Sequence, residues 1–134
     1  MALSSDVSPR IREYARSATT IMNTQVGPTL RDYLRPLETE LRSRGFEGSL
    51  LVMQGSGGCV DSSDAPSRAI TTIGSVLTGG VVGCTRLAAE LGHRNVISTD
   101  MGGTTFLAGL IVDGEPVSTT STVLNQYQLN VPMV

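Results

Sequence analysis

The sequence contains no lysine and no tryptophan, one histidine, two cysteines and two phenylalanines in 134 residues. Each scarcity removes a class of chemistry. All ten basic residues are arginine, which excludes a lysine base, a Schiff base or a Walker-type phosphate lysine. The lone His93 follows a glycine at a helix end, and its expected place is the surface near the helix dipole. Cys59 and Cys84 fit no metal-ligand spacing and are expected to be free, packed thiols. With so few aromatics, the core must be aliphatic. The formal net charge of −2 gives no electrostatic case for nucleic acid. No apolar run approaches the ~20 residues of a membrane span. Met1–Asp6 has neither the basic nor the apolar region of a signal peptide, so a cytoplasmic protein is expected.

Charge is unevenly distributed. Residues 1–47 hold seven arginines and six acids; residues 48–134 hold three arginines and six acids and are rich in Gly, Thr and Val. The first part reads as a helix. From Ile11 to Leu41 apolar residues recur at helical spacing, with Arg12, Arg16, Arg31, Arg35 and Arg42 assigned to a solvated face. Pro9 suits a first turn, Gly27-Pro28 is expected to kink or break the helix, and Gly45 to end it. The second part reads as short strands and tight turns. Residues 49–54 suggest a buried parallel strand, followed by the flexible Gly55–Gly58 turn. Residues 62–67 suit a short helix with Asp61 and Asp64 as cap and solvated first turn, and residues 69–73 a second strand. Residues 78–91 read as a helix with a small-residue first half, stopped by Gly92. Its Gly79, Gly80 and Gly83 cost about 1 kcal/mol each relative to alanine. Close helix–sheet packing is the preferred explanation, ahead of an anion at the helix start. Residues 95–100 and 104–112 read as strands, with Asp113-Gly114 as a type I′ turn and residues 117–122 pairing back. The chain closes on apolar Val131–Val134 without a stop signal and is expected to be a piece of a larger protein.

One turn combines the parts that phosphate chemistry needs. In Asp100-Met101-Gly102-Gly103-Thr104-Thr105, two glycines allow positive φ and close backbone approach. Successive amides then form an anion-binding nest. Thr104 and Thr105 add hydroxyl donors, and Asp100 at a strand end suits Mg²⁺, usually through water. By spacing alone a plain β-hairpin explains the same residues.

The order Ser5–Tyr14, Thr19–Asn23, Val26-Gly27-Pro28, Leu50–Gln54 with Gly57-Gly58, Gly79–Gly83, Arg94–Ile97 and Asp100–Thr104 resembles the hydantoinase A/oxoprolinase family. It also resembles the related acetone and acetophenone carboxylase subunits. The resemblance covers nearly the whole chain. It implies an α/β fold, a long N-terminal helix plus a small mixed sheet, within an actin-like (ribonuclease H-like) ATPase. It implies that residues 1–92 end a first domain with its connecting helix, and that residues 93–134 open a second. Asp100–Thr105 would be the second of two phosphate hairpins: Gly102, Gly103, Thr104 and Thr105 toward ATP, Asp100 toward Mg²⁺. The parent would hydrolyse a cyclic amide such as a hydantoin or 5-oxoproline, or activate a carboxylation substrate, together with a second subunit. The isolated chain is expected to be inactive and to form homo-oligomers through exposed apolar surface. A stand-alone interaction module is the alternative. Many family members carry Thr-Asp-Val after the hairpin where this chain has Phe106-Leu107-Ala108, and Ser-Gly-Pro-Ala where it has Ser75-Val76-Leu77-Thr78. Met53–Gly58 carries Gly-Ser where Ser-Asn is commoner. These departures lean towards a carboxylase-like or divergent branch.

Overall fold

The computed structural model describes residues 2–124 and 126–134. A short helix α1 (Ser4–Val7) precedes the long α2 (Glu13–Ser43). The expected break at Gly27-Pro28 does not occur: α2 runs on through Pro28 and Pro36. A proline inside a helix removes one bond and strains another, but lateral packing offsets that cost here. A 3₁₀ helix (Ala65–Thr72) lies along α2. Asn23 clips it in place, donating from Nδ2 to Ser67 O (2.8 Å) and accepting from Ile70 N (3.0 Å). Gly27 is buried against it, so close that an added Cβ would lie 2.7 Å from Pro66 O. Gly45, at φ +87°, ends the run as its position predicts.

The 3₁₀ helix replaces the strand expected at residues 69–73. Two hydroxyls stabilise its bends: Thr71 Oγ1 donates to Arg68 O (2.7 Å) and Thr72 Oγ1 to Ala69 O (2.8 Å). The segment at 49–54 also differs in direction from the parallel expectation. β1 (Leu51–Met53) pairs antiparallel with β2 (Cys59–Asp61), because the short glycine loop between them permits a hairpin and not a crossover.

Helix α3 (Ser75–Glu90) starts three residues earlier than expected, after Gly74 at φ +78°. A tight turn at Gly92 sends β3 (Val96–Met101) back along α3. β3 pairs antiparallel with β4 (Phe106–Val112), and β4 with β5 (Glu115–Pro116). The turn at Asp113-Gly114 has φ of 53° and 87°, as a type I′ turn requires. Return pairing lasts only until Val117 N donates to Leu110 O; a separate hairpin, β6 (Thr122–Leu124) with β7 (Tyr127–Leu129), follows.

The architecture is therefore a long helix with small antiparallel sheets, an α/β arrangement. Ile70, Leu129 and Val131 form an aliphatic core cluster, flanked by Val7, Ala18 and Met22. Val81, Ala88 and Ile111 are buried where α3 meets its sheet. Both cysteines are free, but Cys59 is exposed and so is not the packed thiol expected. Arg16 also departs from expectation. It lies on the packed face of α2, with its Nε buried. No single helix among the described residues is long and apolar enough to cross a membrane.

Candidate functional site

The Asp100–Thr105 segment is the β3–β4 hairpin. Met101 faces Phe106 as its last pair, and Gly102 N closes the loop by donating to Thr105 O (2.9 Å). The far end of the hairpin is fixed by Asn95 Oδ1, which accepts from Asp113 N (2.9 Å), and by the exposed Arg94–Asp113 ion pair (3.8 Å). In its middle, Gly109 packs directly on Val81 of α3. The hairpin is thus anchored along its length and open at its tip.

The tip differs from the sequence expectation in one respect. Neither Gly102 nor Gly103 is among the positive-φ residues, so the turn does not need glycine for its conformation. Nor does packing require it. A Cβ at Gly103 would meet nothing within 4 Å, and one at Gly102 only Thr105 O at 3.7 Å. What glycine provides here is unobstructed approach to the backbone from outside. Thr104 and Thr105 are exposed, with their hydroxyl oxygens 3.3 Å apart in a mutual hydrogen bond that leaves one hydroxyl proton free for a ligand.

Asp100 is half-buried on the helix-facing side of β3 and pairs directly with Leu107 of β4. Residues opposed in this way have Cβ atoms about 4.5–5.5 Å apart. A carboxylate at 107 would therefore stand beside Asp100, at a spacing one divalent cation bridges. Leucine leaves Asp100 alone, and among the described residues no group of three or more His, Cys, Asp and Glu side chains is gathered to hold a metal. The donor set fits a cation held by one carboxylate, with water and phosphate oxygens completing the shell, as Mg²⁺ accepts. It does not fit a site built from nitrogen and sulfur.

The second glycine cluster belongs to the same region but works differently. Thr78 is buried; its Oγ1 donates to Gly55 O (2.9 Å), which also accepts from Val134 N (3.0 Å). Gly55 N donates to Thr71 O (2.7 Å), and a Cβ at Gly57 would touch Val82 and Thr78. The Gly55–Gly58 loop, which composition marks only as flexible, is fastened to the first half of α3. By contrast Gly79, Gly80 and Gly83 have nothing within 4 Å of an added Cβ. The helix–sheet packing expected of them is made instead by Gly109 and Val81. His93 and Asp64 are exposed, as expected. Asp61 accepts from Ser63 N (2.9 Å) and Ser63 Oγ (2.8 Å), which lowers its pKa.

Residues 16–134 match the family model described as hydantoinase/oxoprolinase. The acetophenone carboxylase gamma subunit of Aromatoleum aromaticum is 28% identical over 135 residues, covering 100% of this chain and 18% of its own length. The caprolactamase alpha subunit of Pseudomonas jessenii is 29% identical, covering 96% of this chain and 18% of its own. A nucleotide-free structure of acetone carboxylase, a protein of ATP-dependent acetone carboxylation, superposes with a TM-score of 0.87 at 29% identity. That match covers 97% of this chain and 18% of the other. The chain thus spans 18% of the length of these relatives.

Proposed function

The chain belongs to the hydantoinase/oxoprolinase family, and from that premise we propose that it contributes one phosphate-binding hairpin to an ATP-dependent enzyme acting on a cyclic amide or a carboxylation substrate. The observation that carries this reading is the bare backbone at Gly102 and Gly103. Neither conformation nor packing within the chain demands glycine there, yet the tip stays open and lined with donors. Access for a ligand explains that choice; a plain hairpin leaves it unexplained.

In this reading nucleotide, when bound, supplies the phosphoryl group that turns a poor leaving oxygen into a good one. The chain's own residues hold and orient. The amides of Gly103, Thr104 and Thr105 and the threonine hydroxyls receive phosphate oxygens, Gly102 leaves the approach open, and Asp100 orients hydrated Mg²⁺ on the helix-facing side. Residues 1–92 would close one actin-like domain, with α3 as its connecting helix, and residues 93–134 would open the next. The caprolactamase and carboxylase relatives are named as subunits, which supports a partner subunit for the complete protein. Leu107 in place of a carboxylate favours the carboxylase-like or divergent branch.

A titration of the ¹⁵N-labelled chain with Mg²⁺ and ATP tests this. Weak, saturable shifts confined to residues 100–105 are expected, with no turnover, because in this reading the first of the two phosphate hairpins lies outside this chain. Silent amides at Gly103 and Thr104 would remove the phosphate role. ATP hydrolysis at enzymatic rates would remove the half-site interpretation.

A further inference from the structure

Among the described residues, two besides glycine have positive φ. Asp113, at φ 53°, sits in a type I′ turn that asks for it. Arg12 sits in no such turn. Its φ of 98° and ψ of 99° lie outside the regions that a residue with a Cβ adopts without strain. Such a conformation persists only where the surrounding structure imposes it. Arg12 is the N-cap of α2, yet its side chain makes no capping hydrogen bond. Residues 9–14 are all exposed, Ile11 at 90%. The constraint on Arg12 therefore comes from anchors on either side of the junction.

After the junction, α2 is seated from Ala15 onwards. Before it, Val7 packs against the Ile70–Leu129–Val131 cluster and Ser8 is buried. Arg10 Nη1 donates to Thr120 O (3.1 Å). These few contacts hold the segment, because α1 is four residues long, buries none of them and has no side-chain cap. The same segment is one wall of a recess of about 580 Å³. Leu3, Asp6 and Val7 line it on one side; Asn23, Gly27 and Arg31 of α2 line it on the other. We propose that residues 2–11 are a strap hinged at Arg12, which opens as a unit and dismantles the recess. Strain at the hinge favours opening, and the contacts of Val7, Ser8 and Arg10 favour closure. Anything that fills the recess holds the strap shut, so recess and strap share one equilibrium.

Hydrogen exchange of the full chain at low urea concentrations tests this. The reporters are the amides of Val7, Ser8 and Arg10, which donate to Leu3 O (3.2 Å), Ser4 O (3.0 Å) and Ser8 O (2.8 Å). A unit that lifts Val7 and Ser8 off the core gives one opening constant at all three. That constant rises with urea, more weakly than global unfolding does. Unequal constants that do not respond to urea would mean that α1 merely frays, and would overturn the strap. Arg12→Gly separates strain from looseness. Glycine loosens an ordinary linker, but at a strained hinge it removes the steric cost of the closed state, so the opening constant should fall about tenfold. Arg12→Ala keeps the Cβ and the strain, and should stay within about twofold of the parent. Unchanged or faster opening in Arg12→Gly, or equal slowing in both variants, would overturn the proposal. Arg12 is exposed, so neither change threatens the core. The strap is judged on its own amides, independently of the shifts at residues 100–105.

Discussion

The clearest quantitative test of the architecture lies where β4 crosses α3. A Cβ on Gly109 would overlap Val81 Cγ2, and its next neighbours are Val81 Cβ at 3.5 Å and Cγ1 at 3.7 Å. The three nearest atoms all belong to this one side chain, and Val81 is fully buried. Gly109→Ala must push the sheet off the helix. Overpacking of this kind costs about 1–3 kcal/mol. The stiffer unfolded chain returns about 0.4–1 kcal/mol, leaving a net loss of about 1–2 kcal/mol. Val81→Ala alone removes two methyl groups, at about 0.8 kcal/mol each plus a cavity, or about 2 kcal/mol. In the double variant the new methyl occupies the space the valine vacates. Its loss should fall about 1–2 kcal/mol short of the sum of the singles, well outside the ~0.5 kcal/mol scatter of independent sites. Urea unfolding with a constant m-value measures all three differences. For a chain of this size each kcal/mol also moves the melting midpoint by about 3–5 °C. Additive losses would refute the direct Gly109–Val81 contact and, with it, the anchoring of the hairpin on α3.

Three further outcomes follow from the same geometry. Gly103→Ala should change stability by no more than about 0.5 kcal/mol, because its Cβ meets nothing, yet should abolish the amide shifts given by nucleotide; a folded variant that binds equally well would separate the tip from phosphate. Leu107→Asp places a second carboxylate opposite Asp100. It should lose about 1–3 kcal/mol in chelator through like-charge repulsion and regain it in millimolar Mg²⁺, as thermal melts with and without the ion would register. Asp61 has its carboxyl held below the ordinary 3.8, chiefly by the Ser63 backbone bond, then the Ser63 hydroxyl, against a small desolvation effect. A depressed folded-state pKa gives stability that is present above the unfolded value and is lost as pH falls through the folded one. Asp61→Asn should therefore flatten the acid limb of the stability curve below about pH 4; an unchanged acid limb would show that the Ser63 bonds carry no linkage.

What the sequence made legible was local. The helical periodicity of α2, the stop at Gly45, the β3–β4 hairpin and the turn at Asp113-Gly114 each follow from spacing or turn chemistry within a few residues. What it concealed was decided at long range. Residues 69–73 carry the β-branched side chains of a strand, but Ile70 N is captured by Asn23, 47 positions earlier, and the segment coils. Glycine was the most deceptive residue. Gly103, Gly109 and Gly27 look equivalent in sequence, yet one faces open space, one a valine and one a carbonyl. Arg16 could have been found from the helix itself, because it shares a face with Thr19 and Asn23, both buried. Its charge assigned it to solvent. The expectation of positive φ at Gly102-Gly103 failed because a four-residue loop closes without it.

The outer face of the β3–β4 sheet carries the last expectation, that of self-association. Side chains alternate, so Ser98, Gly109 and Ile111 turn towards α3 and are buried. Their neighbours turn the other way and remain uncovered: Ile97 is 69% exposed, Met101 79%, Phe106 59% and Leu110 50%. The register joins them, Ile97 opposite Leu110 and Met101 opposite Phe106, so they form one patch rather than scattered residues. Among the described residues β3 is also an edge strand, with no neighbour on its other side. A sheet apolar on both faces is the pattern of a buried layer, not of an exposed antiparallel sheet, which keeps one face polar. The isolated chain should therefore associate in a concentration-dependent way, and Met101→Lys with Leu110→Lys should suppress this without loss of stability, since neither side chain is packed. Light scattering across a wide concentration range is decisive. A parent chain that stays monomeric, or a double variant that associates as before, would mean that this face is not what drives contact, whatever covers it in the complete protein.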